Sequence, residues 1–171
     1  MPYADEILAR RRQAKADEAF PWHATFEELS VGLPFHTGAR HVSAEDVTAF
    51  AALTGDVHPQ HTDAGFAAAS PFGERIAHGL LVLSLAAGLI PWDTRRVVTL
   101  RRVLHATYKR PVRFGDEVRV HGRVTALTPA TDEIGLVTMD WNVVNQDEQT
   151  VCRARVQLLW RRDEHFVPGG R

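Results

Sequence analysis

Two side chains that can transfer protons, Asp56 and His61, lie five residues apart with Pro59 between them. Proline fixes its own φ and restricts the preceding residue, so we predict that residues 56–61 form a stiff loop and not a helix. Such a loop can hold a carboxylate and an imidazole around one water, which is the geometry that general acid–base catalysis requires. The alternative is an ordinary turn, in which Asp56 caps the backbone and His61 faces solvent.

Downstream of this pair, His78-Gly79 precedes the longest apolar run of the sequence. Residues 80–90 are apolar on every side, which predicts a central helix that a sheet covers on most faces and that Pro91 ends. Gly79 would present free backbone N–H groups at the positive end of the helix dipole, where developing negative charge is stabilised. An acid, a base and an oxyanion donor in one segment indicate a catalytic site.

The residues before this stretch predict how the acid is positioned. Ser43 with Asp46 three residues later is a variant of the capping box, and apolar residues at helical spacing follow it. Gly55 is the expected stop of this helix, which therefore delivers Asp56 to the loop at a defined position. A short helix over residues 64–69 is predicted to follow the loop.

From residue 97 onward the apolar period changes from helical to two, which predicts four strands joined by turn residues. The alternating apolar residues are Leu104, Ala106 and Tyr108; Val118, Val120 and Val124; Val137, Met139, Trp141 and Val143; and Cys152, Ala154, Val156, Leu158 and Trp160. With a further strand near residues 35–42, we predict an antiparallel meander and one buried helix, which is an α+β domain. Cys152 is then a buried strand residue and not a nucleophile.

Composition limits the class of protein. The 171 residues suit a single domain, and 44% hydrophobic with 24% charged residues is the range of soluble proteins. A net charge of −1 argues against a general nucleic-acid-binding protein. The first residues lack the apolar core of a signal peptide and the apolar run is too short to cross a bilayer, so we expect a cytoplasmic protein without membrane association. The other histidines lack ligand-like spacing, so we predict no metal site.

The chain is predicted to have three regions. Residues 4–19 are helix formers of mixed charge, which favour a solvated helix over a basic patch at Arg10–Arg12. We therefore expect a helical extension at residues 1–20, one folded domain at residues 21–163, and a loose tail at residues 164–171.

Several motifs together resemble those of a known family. From Thr54 onward the sequence reads TGD-x-(N/H)-P-x-H-x-D, then F-A, RIAHGL and SL-x-x-GL, and Pro111–Asp116 reads PV-x-x-GD. This order resembles the hydratase-2 motif of the MaoC-like dehydratases, the (R)-specific enoyl-CoA hydratases, and the resemblance runs from about Phe26 to Trp160. It implies a single hot-dog domain, in which an antiparallel sheet wraps around one long central helix.

The resemblance also implies an activity. Asp56 and His61 would hold one water for addition to a trans-2-enoyl thioester, and the Gly79 N–H would bind the thioester oxygen. The product would be the (R)-3-hydroxyacyl thioester, and no metal or redox cofactor would be needed. The partners implied are an acyl-CoA or acyl-carrier-protein thioester as substrate and a second copy of the chain in a homodimer.

Two departures from the family motif affect the substrate-binding residues. His58 stands where the family usually has Asn, and Ala87 stands where some members have Ser, with Ser84 one turn earlier. We predict that His58, His78, Leu80 and Ser84 contact the substrate. His58 either points into the site, where it would suit a carboxylated or polar acyl group, or turns outward as a loop residue.

Two other functions are compatible with this fold. A hot-dog thioesterase would hydrolyse the thioester, and a non-catalytic hot-dog subunit would shape an acyl pocket for an active partner. The complete motif with the HG pair favours the hydratase over the thioesterase, and a non-catalytic subunit is expected to lack the Asp56–His61 dyad that this chain retains.

Overall fold

The computed structural model describes residues 20–162. The helix predicted at residues 4–19 and the tail predicted at residues 164–171 lie outside the described residues, so both stay predictions. The sites and motifs discussed above all lie inside them.

The described chain contains four α-helices and six strands, preceded by a short 3-10 turn at Phe26–Glu28. The helices are α1 (Ala44–Thr54), α2 (Pro59–Thr62), α3 (Ala64–Ala68) and α4 (Gly79–Leu89). The strands are β1 (Pro34–His36), β2 (Arg40–His41), β3 (Val97–Tyr108), β4 (Glu117–Pro129), β5 (Ile134–Val144) and β6 (Thr150–Arg161). The strand predicted at residues 35–42 is therefore two short strands with an interruption.

The strands form one antiparallel sheet in the order β1-β4-β5-β6-β3, and β2 pairs with β4 beside this path. The four long strands and their antiparallel pairing are confirmed, but the predicted meander is wrong at one link, because β3 pairs with β6 and not with β4. The connection from β3 to β4 carries the chain to the other side of β5 and β6. Periodicity predicts that a segment is a strand, and it carries no information on a partner that is distant in sequence.

One face of the sheet carries the core. Alternate residues of β4, β5 and β6 are buried there, and α4 packs against them through Leu81, Val82 and Ala86. The other side of α4 is not covered in the single chain, where Leu80 is 64% exposed. Leu80, Ser84 and Gly88 form one exposed stripe, while the other residues of α4 are buried or half-buried, which agrees with the predicted covering of the central helix on most faces.

The elements that position the acid are as predicted. The Ser43 hydroxyl accepts a hydrogen bond from the Asp46 N–H (3.1 Å), and the Asp46 carboxylate accepts one from the Ser43 N–H (3.0 Å). At the other end Gly55 ends α1 in the left-handed conformation with φ +77°, which favours glycine. Both ends of α1 are therefore fixed by local sequence, and Asp56 follows directly.

Cys152 lies buried in β6, as predicted. Burial raises the pKa of its thiol to about 11, so the reactive thiolate is scarce at neutral pH. Within residues 20–162 no helix is long and apolar enough to cross a membrane.

Candidate active site

The chain between Asp56 and His61 is only partly the loop that the sequence predicts. Helix α2 begins at Pro59, where a missing N–H costs nothing because the first helical N–H has no intrahelical acceptor. The prediction that residues 56–61 are not helical is therefore wrong from Pro59 onward. His61 lies on this short helix, which fixes its side chain more firmly than a loop would.

A hydrogen bond determines which ring nitrogen of His61 carries the hydrogen. Its Nδ1 lies 2.7 Å from the Ile76 carbonyl oxygen. A carbonyl oxygen only accepts, so Nδ1 carries the hydrogen and Nε2 of the neutral ring keeps a free lone pair. The Ile76 carbonyl thus prepares His61 to accept a proton through Nε2.

The segment that carries the Ile76 carbonyl is itself held in place on two sides. The Gln60 amide nitrogen donates to the Glu74 carbonyl oxygen at 2.9 Å, and the Ala77 N–H donates to the Val112 carbonyl oxygen at 2.8 Å. Val112 belongs to the PV-x-x-GD segment, so this motif supports the site although it supplies none of the proposed catalytic groups.

His78 lies beneath the Asp56–His61 pair and is only 2% exposed. Its Nε2 donates to the backbone carbonyl oxygen of Asp56 at 2.9 Å, and its ring lies against that of His61 with centroids 3.8 Å apart and the planes tilted by 30°. Among residues 20–162 no group bonds to its Nδ1. The predicted substrate contact of His78 stays a prediction, while the geometry makes His78 a residue that holds both Asp56 and His61.

One aspartate and two histidines therefore converge. Polar atoms of Asp56, His61 and His78 all lie within 4.8 Å of one another, and the Asp56 side chain is 53% exposed. A carboxylate and an unprotonated imidazole nitrogen at this spacing can share one water. The same three groups could also coordinate a divalent cation, although His78 would first have to break its bond to the Asp56 carbonyl.

Gly79 is the first residue of α4, so its N–H has no acceptor within the helix. A Cβ at this position would lie 2.9 Å from three ring carbons of Tyr108. Only glycine fits beneath this ring without displacing it. Tyr108 is the site residue that sequence reasoning missed, since its alternating position in β3 indicated only a core residue.

Tyr108 lies at the end of β3 next to the start of α4. Partial burial, with a smaller contribution from Cys152, raises the pKa of its hydroxyl above the ordinary value. The Tyr108 side chain is therefore uncharged at neutral pH. Its ring lies beside the Gly79 amide and shields the start of α4 from part of the solvent.

The remaining predicted substrate contacts lie around this centre. His58 is exposed, and its Nδ1 accepts a hydrogen bond from the Gln60 N–H (3.1 Å), so it caps α2. Leu80 and Ser84 lie one turn apart on the uncovered side of α4, and the Ser84 hydroxyl donates to the Leu80 carbonyl oxygen. His58 contacts the Asp56–His61 pair, since its N–H donates to Asp56 Oδ1 at 3.4 Å and its ring lies edge-on to the His61 ring with centroids 6.2 Å apart. Within residues 20–162, Leu80 and Ser84 form no hydrogen bond or ring contact with the pair.

With the fold and site described, the chain can be assigned to a family. Residues 28–146 match the family model of the MaoC-like domain, which covers well over half of the sequence. The protein belongs to the MaoC-like dehydratase family, and its antiparallel sheet with one central helix is the hot-dog fold.

Several of the similar proteins are named as a dehydratase or a hydratase. The 3-hydroxybutyryl-CoA dehydratase of Methylorubrum extorquens is 40% identical over 108 residues, which are 61% of this chain and 66% of that protein. The (R)-specific enoyl-CoA hydratase of Aeromonas caviae is 39% identical over 101 residues, which are 59% of this chain and 75% of that protein. The MaoC-like dehydratase structure from Rhodospirillum rubrum superposes with a TM-score of 0.73 at 26% identity, covering 82% of this chain and 98% of that one. This chain thus spans just under two thirds of the M. extorquens relative.

Proposed function

We propose that this protein catalyses the reversible addition of water to a trans-2-enoyl thioester to give the (R)-3-hydroxyacyl thioester. The observation that carries the proposal is the arrangement of Asp56 and His61, whose Nε2 is left free by the Ile76 carbonyl. The names of the similar proteins support the same type of reaction.

The proposed hydration depends on two hydrogen-bond acceptors, the Asp56 carboxylate and His61 Nε2, that can bind the same water. A water that donates one hydrogen to the Asp56 carboxylate and the other to His61 Nε2 has a lone pair left to attack C3 of the substrate. As the new C–O bond forms, the C2–C3 π electrons move toward the thioester and one of the two acceptors takes a proton. A proton is then delivered to C2, so the product gains H and OH from one water.

The negative charge of the intermediate falls on the thioester oxygen. The Gly79 N–H at the start of α4 is the donor we assign to that oxygen, with the helix dipole adding to the stabilisation. The atoms and charges balance with water alone, so the proposed reaction needs no metal or redox cofactor.

The substrate is an acyl thioester of coenzyme A or of a carrier protein, and we propose that Leu80 and Ser84 contact its acyl part. Both lie on the uncovered side of α4: Leu80 directly follows Gly79, and Ser84 lies one turn after Leu80. Crotonyl-CoA is the first substrate to test, because the M. extorquens relative is named for the four-carbon hydroxyacyl-CoA.

Variants of the dyad test the proposal. Asp56→Asn removes the charge with little change of shape, and His61→Ala removes the imidazole. We expect each to lower turnover of crotonyl-CoA by at least ~10²-fold, the low end for loss of a general acid or base. Because both groups act on one water, the double variant should be little slower than the slower single variant.

The assay is the loss of enoyl-thioester absorbance, with thermal unfolding as the control for folding. His41→Ala is a matched variant, since it removes an exposed imidazole in β2. Near-normal turnover in either dyad variant would contradict the proposed roles.

A further inference from the structure

The face of the sheet turned away from α4 carries a groove of about 530 Å³ that none of the proposed catalytic residues lines. The groove crosses β4, β5 and β6 in the middle of the sheet. Its side chains alternate with the buried core residues of the same strands, so they point to the opposite side from the active site.

The groove is strongly basic. Three arginines line it, Arg123, Arg153 and Arg155, against one carboxylate, that of Asp140. The groove therefore has an excess of two positive charges in a chain whose net charge is −1. In the strand register Arg123 and Arg155 face Asp140 from its two sides, whereas Arg153 lies two residues before Arg155 in β6 and faces the uncharged Asn142.

The single carboxylate is already engaged. Asp140 accepts two hydrogen bonds from Arg155, at 2.6 and 2.9 Å, and its carboxylate lies 3.9 Å from the Arg123 guanidinium. The Arg155 guanidinium lowers the pKa of Asp140 below its usual value, so the carboxylate stays charged. Within residues 20–162 no hydrogen bond or ion pair engages the Arg153 guanidinium, although its backbone is paired in the sheet.

Neutral donors complete the groove. Asn142 faces Arg153 on one side and His121 on the other in the strand register. The Asn142 side-chain oxygen is buried without a partner among the described residues, and Asn142 lines the groove. The arrangement thus offers the free guanidinium of Arg153 and a second, exposed guanidinium on Arg123, with the polar Asn142 and His121 side chains beside them.

We infer that this groove binds a small molecule that carries two or more phosphate or carboxylate groups. Guanidinium groups pair with both kinds of anion through two parallel hydrogen bonds. A concave site of this volume fits a small ligand, and two uncompensated charges call for more than one anionic group. The groove is independent of the proposed active site, since it lies on the other side of the sheet.

Pyrophosphate and citrate are the probes for binding, with acetate as the control that carries one charge. Calorimetric titration of the full chain at low salt should give one saturable site per chain for pyrophosphate or citrate and none for acetate. Arg153→Gln should weaken that binding about tenfold, as expected for loss of one charge-assisted hydrogen bond. Arg110→Gln removes a positive charge outside the groove, where Arg110 contacts the Thr150 carbonyl, and should leave binding unchanged.

The second readout is the titration of His121, followed through its ring proton resonance. Burial lowers the pKa of this imidazole, His36 and Arg119 lower it further, and Glu148 opposes them. A bound anion favours the protonated ring, so saturating pyrophosphate or citrate should raise the pKa of His121 in the wild type.

Four results would overturn the inference. The first is absence of saturable binding by both probes, and the second is equal loss of binding in the Arg153→Gln and Arg110→Gln variants. The third is a single-stranded oligonucleotide that binds more tightly than either probe, which would make the groove a nucleic-acid site. An unchanged His121 titration under saturating ligand would place the anion elsewhere and would also contradict the assignment.

Discussion

At the scale of single residues, the capping role of His58 separates its two interpretations. Its Nδ1 accepts the Gln60 N–H, and its exposed ring lies edge-on to the rings of both Phe66 and His61. Asn is also a good N-cap, so we expect His58→Asn to keep the free energy of unfolding, whereas His58→Ala should lower it by about 1 kcal/mol. Chemical denaturation of the three proteins measures this difference.

The kinetic behaviour of the same variants tests the substrate contact. If His58 only caps α2, His58→Asn leaves the pH–rate profile and the preference between plain and carboxylated enoyl-CoA unchanged. A shift of the acid limb together with a changed preference would show that His58 reaches the substrate. The predicted contact would then hold despite the capping bond.

The proximity of Asp56 and His61 could be predicted from local sequence, since they lie five residues apart with Pro59 between them, while their catalytic role stays a prediction. Two other features of the site could not. The bond from His78 to the Asp56 carbonyl joins residues 22 positions apart, and the contact of Tyr108 with Gly79 joins residues 29 positions apart. Both depend on how helices and strands pack, which periodicity does not encode.

At the scale of elements, the contact between α4 and β3 determines how the Gly79 amide is held. A Cβ at residue 79 would lie 2.9 Å from the Tyr108 ring, so Gly79→Ala must displace either the ring or the helix start. We expect Gly79→Ala to lower kcat/KM at least tenfold, since removal of an oxyanion donor costs about 10²–10³ in other enzymes and displacement is a partial removal.

A double-mutant cycle with Tyr108 tests the cause of that loss. Tyr108→Ala makes room for the new Cβ, so Gly79→Ala should cost less activity in that background than in the wild type. Tyr108→Phe keeps the ring and should leave the cost of Gly79→Ala unchanged. If Gly79→Ala lowers activity by the same factor in the wild type and in the Tyr108→Ala background, the ring does not constrain residue 79.

Helices and strands could be predicted from the sequence where local residues mark their ends. Helix α1 was predicted with both ends, because its capping residues Ser43 and Asp46 and its stop Gly55 are local signals. Helix α2 was missed, since Pro59 was interpreted as preventing a helix although proline is favoured at the first helical position. The pairing of β3 with β6 was missed because it depends on the path of the chain across the sheet.

At the scale of the whole molecule, β3 is an edge strand with apolar residues in solvent. Val98, Val103 and Leu104 are each more than 40% exposed, and the uncovered side of α4 adjoins this edge at Tyr108. An exposed apolar edge strand is a template for pairing with another chain. We predict a homodimer in which β3 contacts its counterpart and the site around the half-exposed Asp56 is covered.

Light scattering at micromolar concentration should give twice the chain mass for the wild type. Leu104→Lys places a charge on the edge strand and should yield monomer with reduced activity. Val31→Lys, at an exposed apolar residue in the loop before β1, is the matched control and should remain dimeric. A fully active wild-type monomer would contradict the predicted assembly.

The stereochemistry of the product tests the central claim most directly. The protein is incubated with crotonyl-CoA, and the 3-hydroxybutyryl-CoA formed is resolved by chiral chromatography while free thiol is measured in the same sample. The proposed reaction gives the (R) enantiomer as the product, with no release of free CoA above the level without protein. The (S) enantiomer, or release of CoA without hydration, would contradict it, and the latter would indicate a thioesterase.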